Sequence, residues 1–493
     1  MTFAARQFEE HALPALSEAV RTRRWFRSKS KNIRATTLED FSSFESSGDR
    51  FVLPVVRFAY DDGSSESYFV PLLLSVSGRD SGESLDFPVH VSGSTMHFSD
   101  ALYERSFVGA LLSLISRGGT ISFGRGHADC HSMVPSADMH MTDGEQMRVI
   151  SSEQSNTSVV IGTRAIYKSY RKMEEGINPD YEVPEFLYRH SSFRSLPRPL
   201  GRVEYVDGAP RAVGVLSEYV QNEGDCWTYF QGRLVPSLKN GSCAGVCFEH
   251  IPALADITSS LHNALSGATL PAFAPSAVSP ADVEGWARNY TSLLGSTCSS
   301  LRRKLDKIDG PDRRLAELFL SREESLASHA SSLRVLVREK VFMTRIHGDY
   351  HLGQILKAGN AFYVIDFEGE PMRTLEERRR LNSPLKDVSG MLRSLDYAIS
   401  SAALSAGVPV TDRAVEAWRT EASDMFTAKY RDGYSPSMPY LPRLHADASD
   451  VLRFFLLEKA VYELFYEMNN RPGWISIPLS SLIRLSGPDP GAS

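Results

Sequence analysis

Residues 345–371, RIHGDYHLGQILKAGNAFYVIDFEGEP, gather His347, Asp349, His351, Gln354, Asp366 and Glu368 around two short apolar runs. QILKA and AFYVID read as strands, and Gly359-Asn360 between them is a hairpin turn signal. A register centred on that turn sets Gln354 nearly opposite Asp366 at the open end. Opposed residues of an antiparallel pair hold their Cβ atoms about 4.5–5.5 Å apart, so the amide oxygen and the carboxylate can share one cation. Hard oxygen donors of this kind suit Mg²⁺. Asp349, five residues before Gln354, lies in the loop entering the hairpin and can point into the same space. A carboxylate that orients and deprotonates an attacking hydroxyl, beside another that holds a metal on phosphates, is the equipment of phosphoryl transfer. A solvated acidic loop is the bland reading, but HGD-x4-Q followed twelve residues later by D-x-E is too particular for it.

Phosphoryl transfer also needs a cation on the phosphates. Lys168, in RAIYKSYR, sits at the end of a strand with β-branched and aromatic neighbours. Such a lysine is more often a surface residue that snorkels. Upstream, however, EQSNTS (153–158) links two strands with hydroxyl and amide side chains, and the backbone N–H groups around Ser155, Asn156, Thr157 and Ser158 can cover phosphates as a nest. Downstream, Asn178-Pro179-Asp180 is a capping sequence that opens a helix carrying Glu182 and Glu185. Pro184 is tolerable only in a first helical turn, which leaves open which glutamate reaches Lys168. Strand, loop, lysine and helix acid follow the order of a protein-kinase-like N-lobe.

The elements that must position these residues fall into three segments. Residues 1–90 read as one helix (7–20) and then strands such as FVLPVVRFAY and ESYFVPLLLSV around the turn DDGSS. Residues 91–225 open with an amphipathic helix over 98–117 that ends at Gly118-Gly119, and continue from 148 as short strands. Residues 226–493 are mostly helical apart from the hairpin, with the proline-punctuated run 269–283 joining helices. A β-rich part followed by a helical one suggests an α+β, bilobal enzyme with an active-site cleft.

The 493-residue chain is 42% apolar and 23% charged, ordinary for a globular protein. Its net charge is −6, and it has no long basic run, so nucleic-acid and membrane-surface partners have little electrostatic support. No apolar stretch approaches the roughly 18–20 residues of a membrane helix, and the N-terminus lacks a basic-then-apolar leader, so the expected location is the cytoplasm. Five cysteines (Cys130, Cys226, Cys243, Cys247 and Cys298) are odd in number and scattered, and read as reduced thiols. The cluster His127, Asp129, Cys130, His131 and His140 offers zinc ligands at a spacing that matches no usual pattern, and reads as a solvated loop.

Near the C-terminus, in what reads as the last helix, Lys459, Tyr462, Glu463, Tyr466, Glu467 and Asn470 recur at steps of three and four, opposite Leu457, Ala460, Val461, Leu464 and Met468. The apolar stripe is core. The polar one fits a wet face and a sugar-binding surface equally.

The stretches RRWFRSKSKNI, EQSNTSVV with YKSYRKMEEGINPDYEV, SEYVQNEGDCWTYF, RIHGDYHLGQIL with VIDFEGEP, SPLKDVSGMLRSLDYA and EKAVYELFYEMNNRPGWISIPL resemble the maltokinases, relatives of the aminoglycoside phosphotransferases. The resemblance runs from residue 23 to residue 479 and implies a eukaryotic-protein-kinase-like fold with a β-rich N-terminal cap and a helical C-lobe. It implies ATP and Mg²⁺ as cofactors, Asp349 as base, Gln354 and Asp366 as metal ligands with Glu368 assisting, Lys168 on the phosphates with Glu182 as its partner, and adenine on the backbone of Glu218, Tyr219 and Val220. Asp387 would brace the catalytic loop. His351, Lys459, Tyr462, Glu463, Tyr466 and Trp474 would then line a saccharide pocket. The cap, with Trp25, would rest on the nucleotide lobe.

The activity so implied is phosphorylation of maltose at its anomeric hydroxyl to maltose 1-phosphate, feeding α-glucan synthesis. A trehalose synthase would be a non-covalent partner, since no second catalytic domain is attached. A kinase for glucosamine or another amino sugar is the alternative. A catalytically silent nucleotide- or glycan-binding module is a third, disfavoured by the intact Asp349, Gln354, Asp366 and Lys168.

Overall fold

The computed structural model describes residues 4–78, 84–91, 93–135, 144–150, 156–240, 248–435 and 439–487. It comprises two compact units, Met1–Tyr188 with Pro197–Gln221, and Arg189–Leu196 with Asn222–Ser493.

The first unit contains two seven-stranded antiparallel sheets. In the first, Ile33–Ser46 and Asp49–Tyr60 form a long hairpin. Its two-residue turn, Ser47-Gly48, has both φ angles positive (54° and 86°), the geometry whose twist matches that of the strands. Strand Asp49–Tyr60 is buried on both faces. Phe51, Leu53 and Val55 join one apolar cluster, while Val52, Val56, Phe58 and Tyr60 join another with Phe8, Leu13 and Leu16 of the N-terminal helix. Period-two alternation between two cores explains why FVLPVV is a continuous apolar run.

The second sheet runs in the order Thr120–Ser122, His127–Ser132, Pro199–Asp207, Ala209–Glu218, Ala165–Tyr170, Asn156–Ile161, Met147–Ile150. Its Val159, Tyr167, Val203 and Val213 belong to the same cluster as Phe51, Leu53 and Phe69 of the first sheet. Segments 1–90 and 91–225 therefore share a core within one unit. Two buried polar contacts tie the two sheets further. Asp40 accepts from the N–H groups of Arg125 (3.1 Å) and Gly126 (3.0 Å) and from the Tyr205 hydroxyl (2.7 Å), and Arg171 pairs with Asp100 at 2.5 Å.

Several expectations need correction here. The cluster around Cys130 is a strand, His127–Ser132, paired on both edges. Alternate residues Ala128 and Cys130 face the core, and burial pushes the Cys130 thiol up to about 12. His131 approaches Glu204 at 3.2 Å; His140, Cys243 and Cys247 lie outside the described residues. The helix expected over 98–117 is Arg105–Ser116. Residues 98–100 finish a strand, because Asp100 accepts the Leu102 N–H and is taken up by Arg171.

The second unit is helical around Leu385–Ser405, a helix buried along most of its length and packed against Cys226–Asn240, Arg413–Asp432 and His445–Asn470. Ser195 gives its carbonyl to the Val364 N–H (2.8 Å), which places segment 189–196 here. The C-terminal helix is Ser476–Leu485, so the stripe-bearing His445–Asn470 is the one before it. Its apolar side is buried as expected. Cys226 and Cys298 are free, buried thiols. Among the described residues no helix is long and apolar enough to cross a membrane.

The middle of Leu385–Ser405 carries a buried ionic cluster. Asp396 meets Arg393, Arg419 (2.9 Å) and Arg484 (3.2 Å), and Glu463 and Glu416 complete the charge balance. Burial pushes Asp396 up, but its three guanidinium neighbours overcome that and hold it well below the usual carboxylate range. A depressed carboxyl contributes stability above its unfolded-state value near pH 4 and loses it as pH falls through the folded-state value. We expect Asp396→Asn to cost about 3–5 kcal/mol in urea unfolding at neutral pH, and the gap from the parent to narrow only in strong acid. A variant within 1 kcal/mol of the parent would show that the cluster carries no stability.

Candidate active site

The hairpin forms as Ile355–Ala358 against Ala361–Val364, with Gly359 at φ +58° in a two-residue turn. Its register pairs Ile355 with Val364, so the backbone of Gln354 faces Ile365, one residue short of the expected partner; Gln354 O accepts the Ile365 N–H at 3.0 Å. The side chains still meet, since Gln354 Nε2 donates to Asp366 Oδ2 at 3.0 Å. The reason is Asp366 itself, one of three described non-glycine residues with positive φ (+62°). Left-handed backbone costs of order 1–3 kcal/mol when held in place, and here it turns the carboxylate back toward the amide. Carboxylate oxygens of Asp366 and Glu368 lie within 4.8 Å of each other.

These residues fit Mg²⁺ by the chemistry of the donor set: two carboxylates, plus an amide whose oxygen replaces its nitrogen on a half-turn of the terminal group.

The loop carrying Asp349 is held from behind. Asp387, 2% exposed, accepts the N–H groups of His347 (2.8 Å) and Gly348 (3.0 Å) and contacts His262 Nε2 at 3.2 Å. Burial raises this carboxyl, but the His262 hydrogen bond, the neighbouring imidazoles and the Gly348 N–H bring it below its ordinary value. His347 donates through Nε2 to Ile365 O (2.9 Å), leaving Nδ1 to accept the Asp349 N–H (3.3 Å). One imidazole thus joins the Asp349 loop to the residue before Asp366. Gly348 sits at φ +86°, and a Cβ there would meet Gly369 Cα at 3.4 Å. His351 Nε2 stands 3.9 Å from Asp349 Oδ2, its Nδ1 accepting from Gly353; burial lowers its pKa and favours the neutral ring.

The expected saccharide residues divide. Lys459 pairs with Glu370 (3.2 Å) and lies 5.5 Å over the Tyr462 ring. Burial alone would lower Lys459, yet Glu370, Asp349 and Glu463 hold it well above the usual lysine value. Glu370, raised by burial but faced by Lys459 and Arg373, settles at about 2. Tyr462 and Tyr466 are 41% and 44% exposed. Glu463 is different: Arg393, itself buried, takes its carboxylate through Nε (2.8 Å) and Nη2 (2.7 Å), so it belongs to the ionic cluster and not to a sugar surface. Trp474 lies near Tyr397 (6.5 Å between centroids), with the Arg471 guanidinium 4.6 Å over its ring.

In the first unit, Lys168 Nζ donates to Asp180 at 2.9 Å, and the Tyr170 hydroxyl reaches the same carboxylate oxygen at 2.7 Å. Asp180, two residues before the expected Glu182, is thus an acid partner of Lys168. It sits in the first turn of helix Pro179–His190, with Asn178 capping its N–H at 3.0 Å. Glu185 instead pairs with Arg202 (2.7 Å). Pro184 lies inside the helix, past the first turn.

The nest reading also changes. Asn156, Thr157 and Ser158 belong to strand Asn156–Ile161, and the Thr157 hydroxyl accepts from Arg171 (3.0 Å); Ser155 lies outside the described residues. At the expected adenine edge, Glu218 N–H donates to Arg198 O (2.8 Å) and Tyr219 N–H to Arg164 O (2.9 Å), so these two donors are committed; Val220 follows directly on them.

Sequence reasoning passed over Asp180, Glu370, His262 and Arg393. Asp180 was concealed by its reading as a cap, and Glu370 lies only two residues past Glu368. The loop has a further dependence. Gly390, in helix Leu385–Ser405, has no room for a side chain, since a Cβ would lie 2.5 Å from Tyr350 O. We expect Gly390→Ala to displace the residue next to Asp349 and lower turnover about a hundredfold while far-ultraviolet circular dichroism stays helical. Parent-like turnover would mean that the loop yields without consequence.

No known family model matches the chain. The glucosamine kinase of Mycolicibacterium smegmatis is 25% identical over 337 residues, spanning 68% of this chain and 78% of that protein. The glucosamine kinase of Streptacidiphilus jiangxiensis is 25% identical over 348 residues, spanning 69% and 73%. Among solved structures, a glucosamine kinase in crystal form B superposes with a TM-score of 0.66 at 21% identity over 96% of this chain and 98% of that one. A glucosamine kinase in complex with glucosamine, ADP and inorganic phosphate gives 0.65 at 21% identity over 96% and 99%. These relatives are glucosamine kinases, not maltokinases, and the structural likeness shows that the fold is α+β, bilobal and kinase-like.

Proposed function

We propose that the protein is an ATP-dependent sugar kinase whose acceptor is an amino sugar, glucosamine being the first choice. The observation that carries the phosphoryl-transfer reading is the Gln354–Asp366 pair at 3.0 Å, next to Glu368 and a braced Asp349 loop. The acceptor class draws its support from both curated relatives being glucosamine kinases. Nucleotide use draws support from a fold-mate that holds ADP and phosphate.

In this mechanism Asp349 accepts a hydrogen bond from the acceptor hydroxyl, orients its oxygen at the γ-phosphorus and takes the proton as the new O–P bond forms and ADP departs. Lys168, held by Asp180, neutralises phosphate oxygens. Gln354, Asp366 and Glu368 would hold Mg²⁺, which when bound offsets charge on the phosphates. His351 and Tyr462 offer the acceptor a neutral imidazole and an aromatic face. Maltose phosphorylated at its anomeric hydroxyl is the second reading, resting on the resemblance of several sequence stretches to maltokinases; a trehalose synthase partner goes with that reading alone.

A panel of sugars in an ADP-release assay tests the acceptor. Glucosamine should exceed maltose in kcat/KM by about tenfold or more, the discrimination available when a polar group on the sugar is matched. Turnover with maltose and none with glucosamine would reverse the choice, and ADP binding without turnover on any sugar would favour a silent module. Asp349→Asn should lower kcat by about 10²–10⁴-fold in a folded protein, whereas activity within a few-fold of the parent would remove Asp349 as the base.

A further inference from the structure

The N-terminal β-rich segment has no role in the mechanism above, yet it is joined to the strand of Lys168 by a polar crossing as well as by the apolar core that Tyr167 shares with Phe51 and Leu53. Strand Ala165–Tyr170 belongs to the second sheet, and Lys172–Met173, two residues on, belongs to the first, paired with Tyr68 and Ser67. The residue at the crossing is Arg171. Its carbonyl accepts the Phe69 N–H (2.8 Å) from the first sheet. Its side chain, 0% exposed, meets Asp100 at the end of a first-sheet strand (2.5 Å) and places its guanidinium carbon 5.1 Å over the Trp25 ring. Through Nε it donates to Thr157 (3.0 Å). Thr157 pairs across the second sheet with Ser169, and the next residue, Ser158, pairs with Lys168.

We propose that Arg171 is a positioning residue through which the N-terminal segment sets the strand pair carrying Thr157 and Lys168, and with it the grip on the nucleotide's phosphates. The inference rests on the kinase reading. Among the described residues the buried guanidinium of Arg171 has no hydrogen-bond partner at Nη1, so it depends on Asp100 at Nη2 and Thr157 at Nε for its place. Arg171 has partners on three segments far apart in sequence, so a shift of Asp100 or Trp25 is passed to Thr157 and to the register holding Lys168. The N-terminal segment therefore acts as a rigid backing for nucleotide binding and not as a module moving on its own.

The test is ADP affinity by titration calorimetry, with ATP and acceptor KM measured separately, on the full chain and on Thr157→Val, Thr157→Ser and Asp100→Asn. Thr157→Val keeps the shape and removes the acceptor oxygen, whereas Thr157→Ser keeps it. Thr157→Val and Asp100→Asn should weaken ADP binding about fivefold or more and raise ATP KM to match, with acceptor KM within twofold and Thr157→Ser close to the parent. A purely structural role would lower the melting temperature and leave the affinity of the folded protein unchanged. ADP binding equal to the parent's in folded Thr157→Val and Asp100→Asn overturns the inference and leaves the kinase reading intact. An unmodified protein that binds no ADP overturns both.

Discussion

Asp387 stays ionised in an almost solvent-free position because it is met by N–H groups on several sides. Two come from the backbone of His347 and Gly348 and one from the His262 ring. Burial of a lone carboxylate would drive it to protonate, so ionisation and the loop's shape are one condition: without the turn at Gly348 the two backbone donors do not converge, and without the charge the turn has nothing to converge on. His262 is in turn fixed by the Tyr430 hydroxyl at its other nitrogen (2.8 Å), so the brace extends through two further helices. Asp349, whose own carboxylate has to be accessible, is placed by neighbours that are not.

The same economy governs the hairpin. Left-handed backbone at Asp366 is unfavourable for a residue with a Cβ, and it persists where flanking groups over-determine it. Ile365 on one side is bonded to Gln354 O and to His347 Nε2, and Phe367 on the other packs its ring 4.9 Å from that of His347. The strained residue is the one whose carboxylate is wanted out of line with the strand. Were Asp366 in ordinary extended conformation, strand alternation would fix its direction by the pleat, and the Gln354 side chain would face Ile365 instead.

The parts of this arrangement legible in the sequence are those with local causes. A glycine at a tight turn, period-two alternation, and the apolar stripe Leu457, Ala460, Val461, Leu464 and Met468 each announce themselves within a few residues. The errors lie where a distant partner decides. Residues 98–100 match a helical pattern as well as a strand one, and what settles them is Arg171, 71 positions away. HADCHS is polar enough to read as a loop and becomes a strand because Pro199–Asp207 offers it a paired edge. Glu463 alternates with tyrosines as a sugar surface would, but Arg393, 70 positions earlier, claims it. No spacing rule within a helix could have shown that. The one-residue slip in the hairpin has the reverse origin: counting from the turn gives the backbone register, while the side-chain meeting depends on a φ angle that residue type does not reveal.

The lysine of the first unit shows what an acid at a helix start supplies to the cation beside it. On the proposed function, a cation for phosphates has to be held extended without being fully neutralised. Asp180 shares its oxygen between Lys168 and the Tyr170 hydroxyl, which divides the carboxylate's hydrogen-bonding between a charged and a neutral donor. Its position in the first turn adds the favourable field of the helix N-terminus. The short side chain of Asp180, fixed in the first turn of its helix, therefore holds Lys168 with little rotamer freedom to lose.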